Sequence, residues 1–312
     1  MRAVLSILLW CVATSTGCAT SDPSSKPTGV VSPTDTAADR VDHATCDAWL
    51  ASEPYDASAP VCGGNIQRAL EQLATDAPGR VVLSSARQAL VWFPPDWASR
   101  DRPTILTLLH GSAGCPEAMF ADARWAFGEE HALISIAHKT NTGDFLDEQT
   151  IGSDLEETLT AVASSCPTDE ATHLLYGLSR GGYRAIQLGG LDRDGAQRFA
   201  GVVSDSGSVP SGVLDGPSYQ GARVLLWCGE YDPDPVQEGR STCDVMQSDM
   251  RPYLERAGAE VDTITGDAAC HGIFGWNCPP DCSTCTGRTG DREAGPHAAE
   301  VATWLSDRAR NR

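Results

Sequence analysis

Positive charge is scarce in this sequence. Only 23 Lys and Arg stand against 42 Asp and Glu, a formal charge of −19. A protein that grips nucleic acid needs a basic face to displace counterions, so a nucleic-acid partner is excluded. The acidity reads as a well-solvated surface. Long apolar runs are also missing. The run over residues 3–13 is too short for a permanent spanning helix, which needs about 20 apolar residues. No internal repeat is visible, which removes solenoids and propellers. The remainder is ordinary for a globular chain: 41% hydrophobic and 21% charged over 312 residues. That suits one large domain with a leader, or two small domains.

The leader comes first. Arg2, the apolar run and the small residues after it have the form of an export signal. Ser15-Thr16-Gly17-Cys18 resembles the lipobox of bacterial lipoproteins, where the Cys becomes the lipidated N-terminus. Residues 1–18 are therefore expected to be a signal peptide, with membrane attachment through a lipidated Cys18. Cleavage near Ala19 without lipid is the alternative. Residues 19–43 are rich in Ser, Thr, Pro, Asp and Ala without apolar period, and read as a flexible tether. Setting Cys11 and Cys18 aside leaves ten of the 12 cysteines: Cys46, Cys62, Cys115, Cys166, Cys228, Cys243, Cys270, Cys278, Cys282 and Cys285. An even number suits disulfides in an oxidising compartment, with the connectivity open. Cys278, Cys282 and Cys285 with Cys270 have a metal as their other use. Export favours cross-links, so neither metal nor cofactor is expected.

From residue 80 onward, short apolar runs alternate with helical stretches. Strands are expected at 80–83, 89–93, 104–109, 133–137, 173–176, 199–204, 223–227 and 260–264. Helices are expected at 154–163, 182–191, 246–257 and 297–310. Several strands are continuous apolar runs, the mark of parallel strands buried on both faces. The expected fold class is α/β: a mostly parallel sheet with helices on both faces, over residues 44–312. The pattern stops over residues 272–296, a Cys-, Gly- and Pro-rich excursion expected to be pinned by disulfides.

Two strand ends carry chemistry. Gly177-Leu178-Ser179-Arg180-Gly181-Gly182 follows the strand ending at Tyr176 and opens a helix. A serine hydroxyl attacks poorly unless a base takes its proton and the backbone presents it. A sharp strand-to-helix turn presents it, and its crowding demands glycine two residues to either side. The plain alternative is a Gly-rich helix entry with Ser179 as a cap. Leu109-His110-Gly111-Ser112 ends an earlier strand. A tetrahedral intermediate needs two N–H donors aimed at its oxygen, expected from the backbones of Ser112 and Arg180.

These stretches resemble the α/β-hydrolase family. They are most similar to its secreted polyhydroxyalkanoate-depolymerase and feruloyl-esterase-like branch. Phe199-Ala200-Gly201-Val202-Val203-Ser204 and Cys228-Gly229-Glu230-Tyr231-Asp232-Pro233 extend the likeness over roughly residues 80–310. Arg180 departs from the small residue usual in that branch. The resemblance implies the chain order Ser, then acid, then His. Asp232 stands at the acid's place, with Glu230 and Asp205 as rivals. Of seven histidines only His271 and His297 follow Ser179. His271 lies just past the last strand and is favoured as the base; His297, at the start of the last helix, is the alternative. The reading is an exported serine hydrolase acting on a small-molecule or polymeric ester. A peptidase with the same triad, or a surface binding protein without turnover on the same scaffold, are the alternatives.

Overall fold

The computed structural model describes residues 43–56, 67–85, 87–112, 114–139, 146–190, 198–208, 218–234, 237–273, 279–282 and 296–310. The expected leader, nearly all of the tether and most of the Cys-rich excursion lie outside the described residues. So do residues 141–145.

Eight strands form one sheet in the order β1-β2-β4-β3-β5-β6-β7-β8. They are β1 (Gly79–Val82), β2 (Gln88–Trp92), β3 (Thr104–Leu109), β4 (Ala132–Ile136), β5 (Thr172–Leu178), β6 (Gly201–Asp205), β7 (Arg223–Gly229) and β8 (Glu260–Gly266). β2 is antiparallel to both its neighbours; every other pairing is parallel. Every residue of β3, β4 and β6 is buried. That double burial is why their sequences run continuously apolar instead of alternating.

The period of two is still present, but it divides residues between two cores. Ile105, Leu109, Leu175, Val224 and Leu226 face one layer. Leu106, Leu108, Leu174, Tyr176, Leu225 and Trp227 face the other. The first layer is covered by Ile151, Leu155 and Val162 of α4 (Glu148–Ser165) and by Ala185 and Ile186 of α5 (Arg180–Leu188). The second is covered by Met119, Phe120, Ala123 and Phe127 of α3 (Pro116–Phe127) and by Val301, Trp304 and Leu305 of α8 (Pro296–Arg310). Each fully buried large side chain contributes about 1.5–3 kcal/mol, so the sheet is held from both sides.

The crossover β3–α3–β4 thus uses one face and β4–α4–β5 the other. They diverge at β3, with β4 on one side of it and β5 on the other. Such a divergence opens a crevice beyond the carboxyl ends of the strands, where open α/β sheets place their sites.

Three disulfides lie among the described residues: Cys46–Cys166, Cys228–Cys243 and Cys270–Cys282. The first ties α1 (His43–Ser52) to the end of α4. With Cys270 and Cys282 paired, two members of the alternative metal set are taken up as a cross-link. No helix among the described residues is long and apolar enough to cross a membrane.

The helices depart from expectation in several places. α1, the helix Gln67–Asp76 and α3 were not anticipated; Cys115 caps α3 by accepting the Ala118 N–H, and Pro116 occupies its first turn. The helix expected over 246–257 begins earlier, at a Ser241–Asp244 capping box, and has three parts. A short α6 (Thr242–Val245) is followed by a π-turn at Met246–Met250 and then α7 (Arg251–Arg256). Pro252 sits in the first turn of α7 and has no N–H to give to the turn before it. The wider π geometry accommodates that gap.

Candidate active site

β5 is held by β3 up to Gly177 and by β6 up to Leu178. α5 starts at Arg180, so Ser179 alone must turn the chain. It does so at φ 57° and ψ −120°, a region that non-glycine residues avoid at a cost of about 1–3 kcal/mol. The surroundings enforce it. The Ser179 N–H donates to the Asp205 carbonyl at 2.7 Å, and the Ser179 carbonyl accepts from Tyr183 at 3.1 Å. A Cβ on Gly177 would collide with the Gly181 carbonyl, and one on Gly181 would collide with the Leu109 carbonyl of β3. The two glycines are therefore needed where they stand. Ser179 makes no side-chain capping bond to α5, so the plain capping alternative is not met.

The loop after β3 lies against this turn. A Cβ on Gly111 would come 3.3 Å from the Ser179 Cβ. Gly114 donates to the Gly111 carbonyl at 3.0 Å, closing a tight turn in which Ser112 is exposed. His110 is buried, and its Nδ1 lies 2.8 Å from the Gly111 carbonyl. A carbonyl only accepts, so Nδ1 carries the proton. Burial pulls the His110 imidazole down to about 4 and that of His138, its ring neighbour, down to about 3. Both are neutral at pH 7. Arg180 is exposed, with its guanidinium over the Tyr183 ring at 5.2 Å.

Asp232 and His271 come together. His271 Nδ1 lies 3.0 and 3.1 Å from the two carboxylate oxygens of Asp232. The Asp232 side chain is 2% exposed and that of His271 is 40% exposed. A buried carboxylate thus meets Nδ1 of a partly exposed imidazole. The strand ends that carry them are in contact: a Cβ on Gly229 would clash with the Cys270 carbonyl. Each loop is also closed by its own disulfide, Cys228–Cys243 around Asp232 and Cys270–Cys282 beside His271. The loop carrying His271 rests on the Ser179 turn, because a Cβ on Gly272 would come 2.7 Å from Leu178 Cδ1.

The rival residues have other partners. Glu230 accepts the Ala268 N–H at 3.0 Å and holds the turn after β8. His297 is buried, with Nε2 3.1 Å from the Asp267 carbonyl and Nδ1 3.4 Å from Glu300, fastening α8 to the same turn. Asp205 is fully buried and accepts the Tyr176 hydroxyl and the Ile273 N–H. Burial pushes its carboxyl up to about 6, against the hydrogen bonds from Tyr176 and Ile273 and the nearby His271. Sequence reasoning missed Tyr176 and Ser206, which support this corner. Ser204-Asp205-Ser206-Gly207, a polar strand end like those at Ser179 and Asp232, was the available signal.

No family model and no curated protein matches the chain by sequence. Solved structures do match by shape. An esterase from the archaeon Pyrobaculum calidifontis superposes with a TM-score of 0.52 at 14% identity, over 78% of this chain and 91% of that one. A putative dienelactone hydrolase from Klebsiella pneumoniae gives 0.53 at 15%, over 75% and 98%. Thermogutta terrifontis esterase 2, phosphorylated by paraoxon, gives 0.52 at 13%, over 74% and 94%. At such identities the likeness concerns the fold alone, and that fold is the α/β-hydrolase fold.

Proposed function

We propose that this chain is an exported serine hydrolase that cleaves carboxylic esters through an acyl-enzyme. The observation that carries the reading is the buried Asp232 carboxylate on His271 Nδ1, at 3.0 and 3.1 Å, on a loop packed against the strained Ser179 turn. With Nδ1 engaged, His271 Nε2 takes the Ser179 hydroxyl proton while Oγ bonds to the ester carbonyl carbon. The carbonyl oxygen becomes an oxyanion, received by the backbone N–H groups of Ser112 and Arg180. Collapse breaks the bond to the alcohol, which leaves with the proton from His271. Water then repeats the cycle on the acyl-enzyme, releases the acid and restores Ser179. Asp232 keeps the imidazole in the tautomer this requires and stabilises its cation.

Three cross-links suit an oxidising compartment and support export. The substrate class is a small-molecule or polymeric ester, and Cys18 is the proposed lipid attachment point; intact-mass measurement of the membrane fraction tests the attachment. A similar fold phosphorylated by an organophosphate motivates the main test. A fluorophosphonate probe is expected to label Ser179 in the wild type and to leave Ser179→Ala unlabelled. A p-nitrophenyl ester series by chain length, beside feruloyl and peptide substrates, sets the substrate class. Ester turnover in Ser179→Ala within about tenfold of wild type refutes the reading, because losing such a nucleophile costs orders of magnitude.

A further inference from the structure

The two backbone N–H groups that follow His271 are both received by one short segment at the end of β6. Gly272 donates to Ser206 Oγ at 3.0 Å, and Ile273 donates to Asp205 Oδ2 at 3.0 Å. The main-chain carbonyl of the same Asp205 accepts the Ser179 N–H at 2.7 Å. Tyr176, three residues before Ser179 on β5, donates its hydroxyl to Asp205 Oδ2. One residue therefore touches the serine turn through its backbone and the histidine loop through its side chain.

The site is dry. Asp205 is 0% and Ser206 3% exposed, so an N–H deprived of its acceptor there finds no water to replace it. Ser206 also stands at φ 52°, a left-handed conformation that a serine keeps only where its surroundings fix it. The base loop has need of such support, because β8 before it is an edge strand with only Gly266 buried.

We propose that Asp205 and Ser206 form a positioning clamp that sets His271 against Ser179. The proposal rests on the serine-hydrolase reading and assigns Asp205 a part other than the triad acid. The clamp acts through hydrogen bonds, and Asp205 adds charge. The groups facing its carboxyl are the Tyr176 hydroxyl from β5, the neighbouring Ser206 hydroxyl, and the Ile273 N–H and His271 ring from the loop after β8. Asp122 of α3 acts on Tyr176 behind them. With its carboxyl at about 6, Asp205 is mostly ionised at neutral pH and favours the proton arriving on His271.

Two variants separate geometry from charge. Glycine accepts the left-handed φ, so Ser206→Gly keeps the fold while removing the Gly272 acceptor. Asp205→Asn keeps an oxygen for Ile273 and removes the charge. With p-nitrophenyl acetate, Ser206→Gly is expected to lose about 10- to 100-fold in kcat with KM held within about twofold, the cost of a misplaced base. Asp205→Asn is expected to lose about tenfold in kcat and to move the acid limb of kcat/KM to lower pH, which loosened packing does not do. The rate of fluorophosphonate labelling should fall in step with kcat. A folded Ser206→Gly with wild-type kcat, or Asp205→Asn with wild-type kcat and acid limb, overturns the clamp. If the wild type is labelled at Ser179 in those cases, the clamp fails alone. A wild type that turns over ester without labelling at Ser179 overturns the serine reading and the clamp with it.

Discussion

Asp232→Asn isolates the orienting carboxylate. In the folded protein both Asp232 oxygens lie within 3.1 Å of His271 Nδ1, and the side chain is 2% exposed. The amide fills the same space, so packing changes little. It loses the negative charge beside the imidazolium of the transition state. Two unit charges about 4 Å apart interact by about 4 kcal/mol at an effective dielectric near 20. That corresponds to about a thousandfold in kcat. An amide NH2 turned toward Nδ1 also favours the opposite tautomer, which sets a proton on the nitrogen that must accept one. The two effects act in the same direction, so a thousandfold is a lower bound. The assay is steady-state p-nitrophenyl acetate hydrolysis near neutral pH, with circular dichroism to verify folding. Glu230→Gln is the control, because that exposed carboxylate bonds the Ala268 N–H and not the ring. It should stay within about threefold of wild type, since an amide oxygen still accepts. A folded Asp232→Asn that retains more than a tenth of wild-type kcat, or a Glu230→Gln that loses as much as Asp232→Asn, would refute the reasoning.

Four other outcomes are expected. His271→Ala removes turnover, whereas His297→Ala keeps most of its kcat and is less stable by about 1–3 kcal/mol, because the Asp267 carbonyl loses a buried partner; kinetics and urea unfolding on both variants check this. Ser112→Ala is mild and Ser112→Pro severe in kcat, since the hole takes a backbone N–H that proline lacks; a large selective loss in the alanine variant would point to the hydroxyl instead. Asp205 binds its proton more tightly in the folded state, so between about pH 4 and 6 the native protein holds more protons than the unfolded chain and stability falls as pH rises through that window. Asp205→Asn should remove up to about 3 kcal/mol of that fall, read as the difference between variant and wild-type unfolding at pH 4 and pH 7. Replacing both Cys46 and Cys166 by Ser opens a cross-link spanning 120 residues and should cost about 5 kcal/mol on the loop-entropy model; a melting temperature lowered by less than about 5 °C speaks against it.

The sheet was legible because burial on both faces writes itself into sequence. Residues 104–109 and 133–136 carry an apolar run whichever way a side chain points. α3 was harder to read. Four of its twelve residues are alanine, which buries as readily as it lies exposed, so the stripe formed by Met119, Phe120 and Phe127 is faint. The helix around Pro252 misled in another way: its apolar spacing is continuous across a π-turn that only the proline's missing N–H announces. At the site, the serine turn was legible because everything it requires is contiguous, from Gly177 to Gly181. The pairing of Asp232 with His271 followed from strand ends and not from spacing. Asp205 and Ser206 meet the histidine loop across a gap of more than 60 residues. A polar strand end announces that something is held there, and only the folded chain says what.

The two disulfides near the site occupy a telling position. Cys228 is the penultimate residue of β7 and Cys243 lies in α6, so that bond closes the segment carrying Asp232. Cys270 and Cys282 close the segment carrying His271. Asp232 is buried as a carboxylate, and the strand before His271 has only Gly266 buried. Burying a carboxylate is costly unless a partner meets it in good geometry. Here the partner sits on the loop that follows an edge strand. Cross-linking both segments lowers the entropy of their open forms, by about 3 kcal/mol each on the loop-entropy model. The Asp232–His271 hydrogen bond is then not the thing that must order them. The same logic explains why the hydrogen bonds to Ser206 and Asp205 fall on the two residues directly after His271. The disulfide fixes the loop on one side of the ring at Cys270, the clamp fixes it on the other at Gly272 and Ile273, and the imidazole between them has only its own rotamer left to settle, which the Asp232 carboxylate decides.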